Sequence, residues 1–177
     1  MKEKQFSIRD IKVHQRIKAE SGYTAQTRNA AGQNSRLTSL TIATENEKGV
    51  INEYITMAAN ECATAIARYF SPCSLTVEDD PDDIEYKIRN FTLLLPENYP
   101  EENAGTLAGI VMDFICNRCM QQWYMLVRSE DAGTMAVKAQ SSMAQLRDQL
   151  SIRKKPHKNR NYEKHNIYSE ERTATAD

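Results

Sequence analysis

The sequence predicts a mainly α fold: a small helical bundle with an inserted β-hairpin and extended N- and C-terminal arms. Apolar residues recur at steps of three and four along most of 44–150. The pattern changes to short runs of strand-forming residues around an acidic turn at 74–95, and both chain ends lack a continuous apolar face. We therefore divide the chain into an N-terminal arm and linker (1–43), a bundle with its hairpin (44–150) and a basic C-terminal arm (151–177).

The N-terminal arm mixes scattered apolar residues with many charges in the stretch QFSIRDIKVHQRIKAE. This pattern favours a short helix that packs against a partner. The next stretch, SGYTAQTRNAAGQNSR, is rich in small and polar residues and is typical of an extended linker. The β-branched content of 37–43 then predicts a short strand.

The first helix of the bundle is predicted to begin at Thr44 and to end at about Ser71. Thr44 can cap the helix, and Glu47 follows three residues later, as in a capping box. Pro72 cannot continue the helical hydrogen bonds. The apolar residues between these signals share one broad face: Val50, Ile51, Tyr54, Ile55, Ala58, Cys62, Ala65, Ile66 and Tyr69.

The hairpin is predicted from two runs of strand-forming residues, 74–77 and 85–95, on either side of the acidic stretch VEDDPDDIE. In a regular strand Ile88 and Phe91 would point to opposite faces. Their apolar character therefore predicts a bulge near Asn90. The acidic turn favours a solvated hairpin tip. Two alternatives are a divalent-cation site, although the glycine and spacing of an EF-hand are missing, and a loop that docks on a basic surface of a neighbouring subunit.

Two further helices are predicted over 101–128 and 130–150. Pro100 and the two glutamates after it suit a first helical turn, because proline is tolerated there and negative charge complements the helix dipole. The last helix carries a narrow apolar seam, which is typical of a helix packed along another helix. The seam consists of Met135, Ala139, Met143, Leu146 and Leu150.

The net charge of −1 conceals an acidic centre and a basic C-terminal arm. The first residues lack the apolar region of a secretory signal. The most apolar run, 107–127, carries too many polar groups for a membrane span. We therefore expect a protein made in a reducing cytoplasm, with no membrane contact and with its cysteines as free thiols.

The C-x-x-C spacing of Cys116 and Cys119 is the nearest approach to an active-site motif. Zinc needs four converging ligands, and the other cysteines, Cys62 and Cys73, form no second pair of this kind. A redox pair belongs at a helix start after a strand, whereas this pair lies deep inside a predicted helix. Core packing is therefore favoured, with zinc and redox roles as alternatives. We expect no metal or cofactor and, without a P-loop, G-x-G-x-x-G or H-E-x-x-H motif, no enzymatic activity.

Two groups of residues are candidates for contact with other molecules. Trp123 and Tyr124 are adjacent on one predicted helix, which cannot direct both into the same core. They are therefore candidates to anchor an interface, and the alternative is that one of them is only half-buried on the monomer. The basic arm is predicted to contact another protein or, through salt-dependent binding to phosphates, nucleic acid. Its contact candidates are Arg153, Lys154, Lys155, His157, Lys158 and Arg160.

The order of helix, hairpin, two helices and basic arm covers about 44–155. It includes TENEKGVINEYITMAANECATAIARYF, the hairpin segment, and LRDQLSIRKKP at the close of the last helix. This order resembles the head-to-tail connector proteins of tailed bacteriophages, also called adaptor or neck-ring proteins. The resemblance implies a structural virion protein that forms a ring in the phage neck and connects the portal to the tail.

The resemblance also implies partners and a location. The chain would form a twelve-fold homo-oligomeric ring, bind the portal and other neck or tail proteins, and make non-specific contact with packaged DNA. It would be made in the host cytoplasm and reside in the virion, with virus assembly as its role. A hypothesis of another class is a nucleic-acid-binding accessory protein that uses the basic C-terminal arm. Its affinity for duplex would fall steeply with salt.

Overall fold

The mainly α fold is confirmed by the computed structural model, in which a β-hairpin is inserted between helices. The structure describes residues 1–30, 47–69, 72–100, 104–127 and 129–152. In chain order the elements are β1 (Lys2–Arg9), α1 (Asp10–Ala30), α2 (Lys48–Tyr69), β2 (Cys73–Asp79), β3 (Lys87–Leu95), α3 (Ala104–Val127) and α4 (Ser129–Ser151).

Helices α2, α3 and α4 begin and end within about four residues of the bounds predicted from apolar spacing and helix-end signals. The predicted cap at Thr44 lies outside the described residues. So do 31–43, with the predicted strand at 37–43, and 153–177, with the basic part of the C-terminal arm.

The three strands form one antiparallel sheet in the order β1-β3-β2. β3 is central, with Phe91 opposite Phe6 of β1 and Leu75 of β2. The register is continuous along β3, so the bulge expected near Asn90 is wrong. Asn90 lies on the face opposite to Phe91, where its side-chain oxygen accepts a hydrogen bond from the Ser7 hydroxyl at 2.6 Å. Regular alternation therefore places Phe91, Leu93 and Leu95 on one face, and Ile88 and Leu94 on the other, without a bulge.

The first part of the predicted N-terminal arm belongs to the folded domain, which corrects the predicted boundary between arm and bundle. β1 pairs with β3, and α1 follows β1 directly. Ile8, Val13 and Ile17 are at most 3% exposed and join the core. β1 is held because β3 offers an unpaired backbone edge and an apolar face, and Phe6 stacks on Phe91 with ring centres 5.3 Å apart.

Helix α3 lies at the centre of the fold, where it packs against α1, α2, α4 and β1. Its buried side chains point in several directions and include Leu107, Val111, Phe114, Ile115, Cys116, Cys119, Met120, Trp123 and Tyr124. Such a helix is typical of a domain core. Among the described helices, none combines the length and the apolar content needed to cross a membrane.

Candidate functional site

The loop between β2 and β3, called the hairpin loop below, is the candidate site. Two backbone hydrogen bonds stabilise the loop internally. The amide of Asp80 donates to the carbonyl of Tyr86 at 3.0 Å, and the amide of Tyr86 donates to the carbonyl of Asp83 at 2.9 Å. The carboxylate of Asp80 also accepts the amide of Asp82 at 3.1 Å. Aspartates often stabilise turns in this way, by bonding to an amide two residues on. The acidic turn therefore has a defined conformation of its own.

Arg9, at the end of β1, braces one side of the hairpin loop. Its Nε donates to Asp80 at 2.8 Å, and its Nη2 donates to Asp80 and to Asp82 at 2.6 Å each. The Asp80 side chain is fully buried beneath this contact. The hydrogen bond from Arg9 holds the pKa of Asp80 below its usual range, so the carboxylate is ionised at neutral pH. A charge-assisted pair of this geometry is strong and directional.

Lys48, at the start of α2, braces the other side. It forms an ion pair with Glu85, which raises the pKa of Lys48, and its ammonium lies 4.2 Å from the ring centre of Tyr86. His14 of α1 meets the same ring edge-on, with ring centres 5.2 Å apart. The Nε2 atom of His14 also lies 2.7 Å from Oδ1 of Asn52. Three elements outside the hairpin thus fix the position of its loop.

The braced loop presents Ile84, whose side chain is 79% exposed, beside acidic residues. An apolar side chain on a fixed loop is suited to enter a pocket on another protein, because little conformational entropy remains to be lost on binding. The sequence favoured a solvated tip here. The tip is exposed, but part of its acidic charge is compensated by Arg9 and Lys48.

A buried ion pair lies behind the loop, between β3 and the first turn of α1. Arg89 donates from Nε to Asp10 at 2.7 Å and from Nη2 to Asp10 at 2.8 Å, and Nη2 also donates to Thr56 of α2 at 3.0 Å. The two charged side chains are 3% and 1% exposed. Asp10 stands at a helix N-terminus, where negative charge is favoured. This pair ties β1 and α1 to the sheet and to α2.

Trp123 and Tyr124 are not surface anchors, which corrects the prediction made from their adjacency. Trp123 is 8% exposed and Tyr124 is fully buried, both within the chain's own core. The prediction assumed that α3 has one buried face. Because α3 is covered from several sides, two neighbouring side chains about 100° apart can both be buried.

The basic candidates of the C-terminal arm, Arg153, Lys154, Lys155, His157, Lys158 and Arg160, lie outside the described residues, and their contacts stay a prediction. The residues that brace the hairpin loop were missed. Arg9 and Lys48 are 71 and 37 residues away from the acids they bind. An excess of acid in one turn indicates that counter-charges are needed, but the turn itself does not identify them.

Cys116 and Cys119 are fully buried, as predicted for core residues. Burial raises the pKa of the Cys116 thiol to about 12 and raises the pKa of the Cys119 and Cys62 thiols as well. Cys73 in β2 is partly exposed, and burial raises its pKa to about 11. Within the described ranges, no three His, Cys, Asp or Glu side chains come together as a metal site would require.

These thiols are expected to react slowly with iodoacetamide in the native protein at pH 8. The thiolate is the reactive form, and a pKa of about 11 leaves about one Cys73 in a thousand ionised. Mass spectrometry of the alkylated native protein should find Cys73 modified first and Cys62, Cys116 and Cys119 unmodified until denaturant is added. Rapid native labelling of Cys116 or Cys119 would reopen a redox or zinc role for the pair.

Searches against protein-family models, curated proteins and solved structures return no match to this chain.

Proposed function

We propose that this protein is a structural assembly protein, a ring component of the neck of a tailed bacteriophage that connects the portal to the tail. The observation that carries the proposal is the braced hairpin loop with its exposed Ile84. The mainly α fold with a hairpin between helices agrees with the architecture expected of such a connector.

The hairpin loop supports an assembly role through its rigidity and its chemistry. Arg9, His14 and Lys48 hold it from three different elements. Binding would therefore cost little loop ordering. Ile84 would fill an apolar pocket on a neighbour, and the acidic residues beside it would face basic side chains at the rim of that pocket. Complementary charge of this kind fixes the partner and the orientation.

The sheet offers a second contact. The outer edge of β2 has no strand beside it among the described residues, and Val77 on β2 is 51% exposed. An unpaired edge of this kind can receive a strand from another chain through backbone hydrogen bonds. Side-by-side packing of copies through a loop on one side and a different surface on the other is a heterologous contact, which closes into a ring when the rotation allows.

In this proposal the ring is a homo-oligomer that sits in the virion, with the portal on one side and other neck or tail proteins on the other. The basic residues of the C-terminal arm contact a neighbouring protein or the packaged DNA. Many weak contacts repeated around a ring give high total affinity through effective concentration.

The Ile84→Asp variant tests the proposal. It is expected to keep the wild-type thermal stability to within about 1 °C, because Ile84 is exposed and few contacts are lost. It is expected to lose self-association, because an aspartate cannot enter an apolar pocket without losing its hydration. Native mass spectrometry and sedimentation velocity over a concentration series measure both proteins side by side.

The matched control is Val137→Asp, which places the same charge at a 66% exposed apolar position on α4. The control is expected to associate as the wild type does. A wild-type protein that stays monomeric at every concentration, or an Ile84→Asp variant with the wild-type mass distribution, would count against the proposed function.

A further inference from the structure

The contact between residues 1–23, called the N-terminal segment, and residues 47–152, called the body, includes several polar side-chain pairs. Its hydrogen bonds and ion pairs join residues that are far apart in sequence. They pair the Met1 amino group with Glu97, Ser7 with Asn90, Arg9 with Asp80 and Asp82, Asp10 with Arg89, His14 with Asn52, and Arg16 with Asp113.

The contact also has an apolar part. Ile8, Val13 and Ile17 are buried, and Phe6 stacks on Phe91. A contact that combines buried apolar residues with directed polar pairs resembles a contact between protein surfaces. Three charged side chains of the segment, Arg9, Asp10 and Arg16, meet opposite charges on the body, so the segment recognises one position on the body in one register.

The connection between the segment and the body is long enough to let the segment reach a different body. Residues 31–46 supply sixteen residues between Ala30 and Glu47. At about 3.3–3.6 Å per residue, sixteen residues span at most about 53–58 Å. A body of this size has a diameter of roughly 33 Å.

We propose that in the assembled protein the N-terminal segment of each copy docks on the body of the next copy, through the same contacts that it makes within one chain. The inference rests on the proposed assembly function. Its partner is a second copy of this chain. Its docking surface consists of the edge of β3 that pairs with β1, including Arg89, together with Asp80 of the hairpin loop and Asp113 of α3. Exchange of a terminal element between identical chains needs no new surface, since the donor and acceptor are already complementary.

A pair of charge reversals tests the exchange. Asp10→Arg places two cationic groups together in the core of one variant, and Arg89→Asp places two carboxylates there in the other. Each variant alone is expected to lose docking of its N-terminal segment. In an equimolar mixture, exchange restores opposite charges at both sites, so the mixture is expected to recover the wild-type oligomer mass. A control chain that carries both Asp10→Arg and Arg89→Asp shows whether the reversed ion pair supports docking of the N-terminal segment.

A second measurement avoids dependence on how these variants fold. Ser7 and Asn90 are cross-strand partners, so Ser7→Cys and Asn90→Cys in one chain place two thiols side by side across β1 and β3. Cys73→Ser in the same chain removes the partly exposed native thiol. After oxidation with diamide, non-reducing gels separate cross-links within a chain, which run as monomers, from cross-links between chains, which run as multiples.

We expect most cross-linked material from an oligomer of wild-type size to run at multiples of the monomer mass. We also expect the mixture of the two charge-reversed chains to recover the oligomer mass that each chain alone loses. An oligomer whose cross-links all lie within single chains overturns the exchange and leaves the proposed function standing. A monomeric protein with cross-links only within chains overturns both.

Discussion

The Arg89→Met variant is expected to lose about 3–5 kcal/mol of unfolding free energy, because it leaves Asp10 as a buried carboxylate without its counter-ion. Arg89 and Asp10 share two hydrogen bonds at 2.7 and 2.8 Å, and neither side chain has more than 3% of its surface exposed. Urea unfolding followed by circular dichroism measures the loss. Since domains are typically stable by about 5–15 kcal/mol, the loss removes a large part of the total.

Two further variants show whether the loss comes from the unpaired charge. Arg89→Met combined with Asp10→Leu removes both charges and is expected to recover most of the stability, since apolar replacement of a buried pair is often neutral. Arg118→Met breaks the exposed pair with Glu61 and is expected to cost less than about 1 kcal/mol. A single variant at Arg89 that is as stable as the Arg118 variant would contradict the importance of the buried pair.

The Tyr124→Ala variant is expected to lose about 3–5 kcal/mol, because truncating a fully buried aromatic side chain removes its packing and leaves a cavity. Trp123→Ala should lose a similar amount. The matched control is Tyr23→Ala, which makes the same chemical change at a position with 69% exposure and should change stability by no more than about 0.5 kcal/mol. The same unfolding measurement applies.

This comparison also decides between the two interpretations of Trp123 and Tyr124. A core role predicts that both truncations weaken the isolated chain. An interface role predicts wild-type stability with loss of association, and that result would contradict the burial of both side chains.

The bundle and the hairpin were predictable from the sequence because their signals are local. The apolar steps of α2 and α4 repeat every three or four residues, and the proline at Pro72 stops the first of them. The strands β2 and β3 flank a turn that is rich in aspartate, which favours turns through its own side-chain hydrogen bonds.

The N-terminal segment was not predictable in the same way. Ile8, Val13 and Ile17 are spaced by five and four among charged residues, and this spacing defines no clear apolar stripe. The partners that stabilise it, such as Asp80 for Arg9 and Arg89 for Asp10, are more than 70 residues away. Long-range charge pairs and a strand partner about 85 residues away leave no local pattern, so the segment reads as an arm.

The burial of Trp123 and Tyr124 was missed for a related reason. Apolar spacing on a helix reports which residues share a face, but it does not report how many faces of that helix are covered. The near-continuous apolar character of α3, with Leu107, Val111 and Phe114 also buried, is the signal that several faces are covered. The run 107–127, whose polar groups argue against a membrane span, therefore lies in the central helix of the fold.

The pairing of β1 with β3 also determines how long β1 remains unpaired during synthesis of the chain. Phe6 faces Phe91, so the first strand leaves the ribosome about 85 residues ahead of the strand that it must join. At about 5–20 residues per second, this delay lasts roughly 4–17 seconds. Contacts of such high sequence separation form late in folding, since a long loop must close first. Newly made chains therefore spend this interval with β1 unpaired, and on a polysome several such chains lie close together while their acceptor strands emerge.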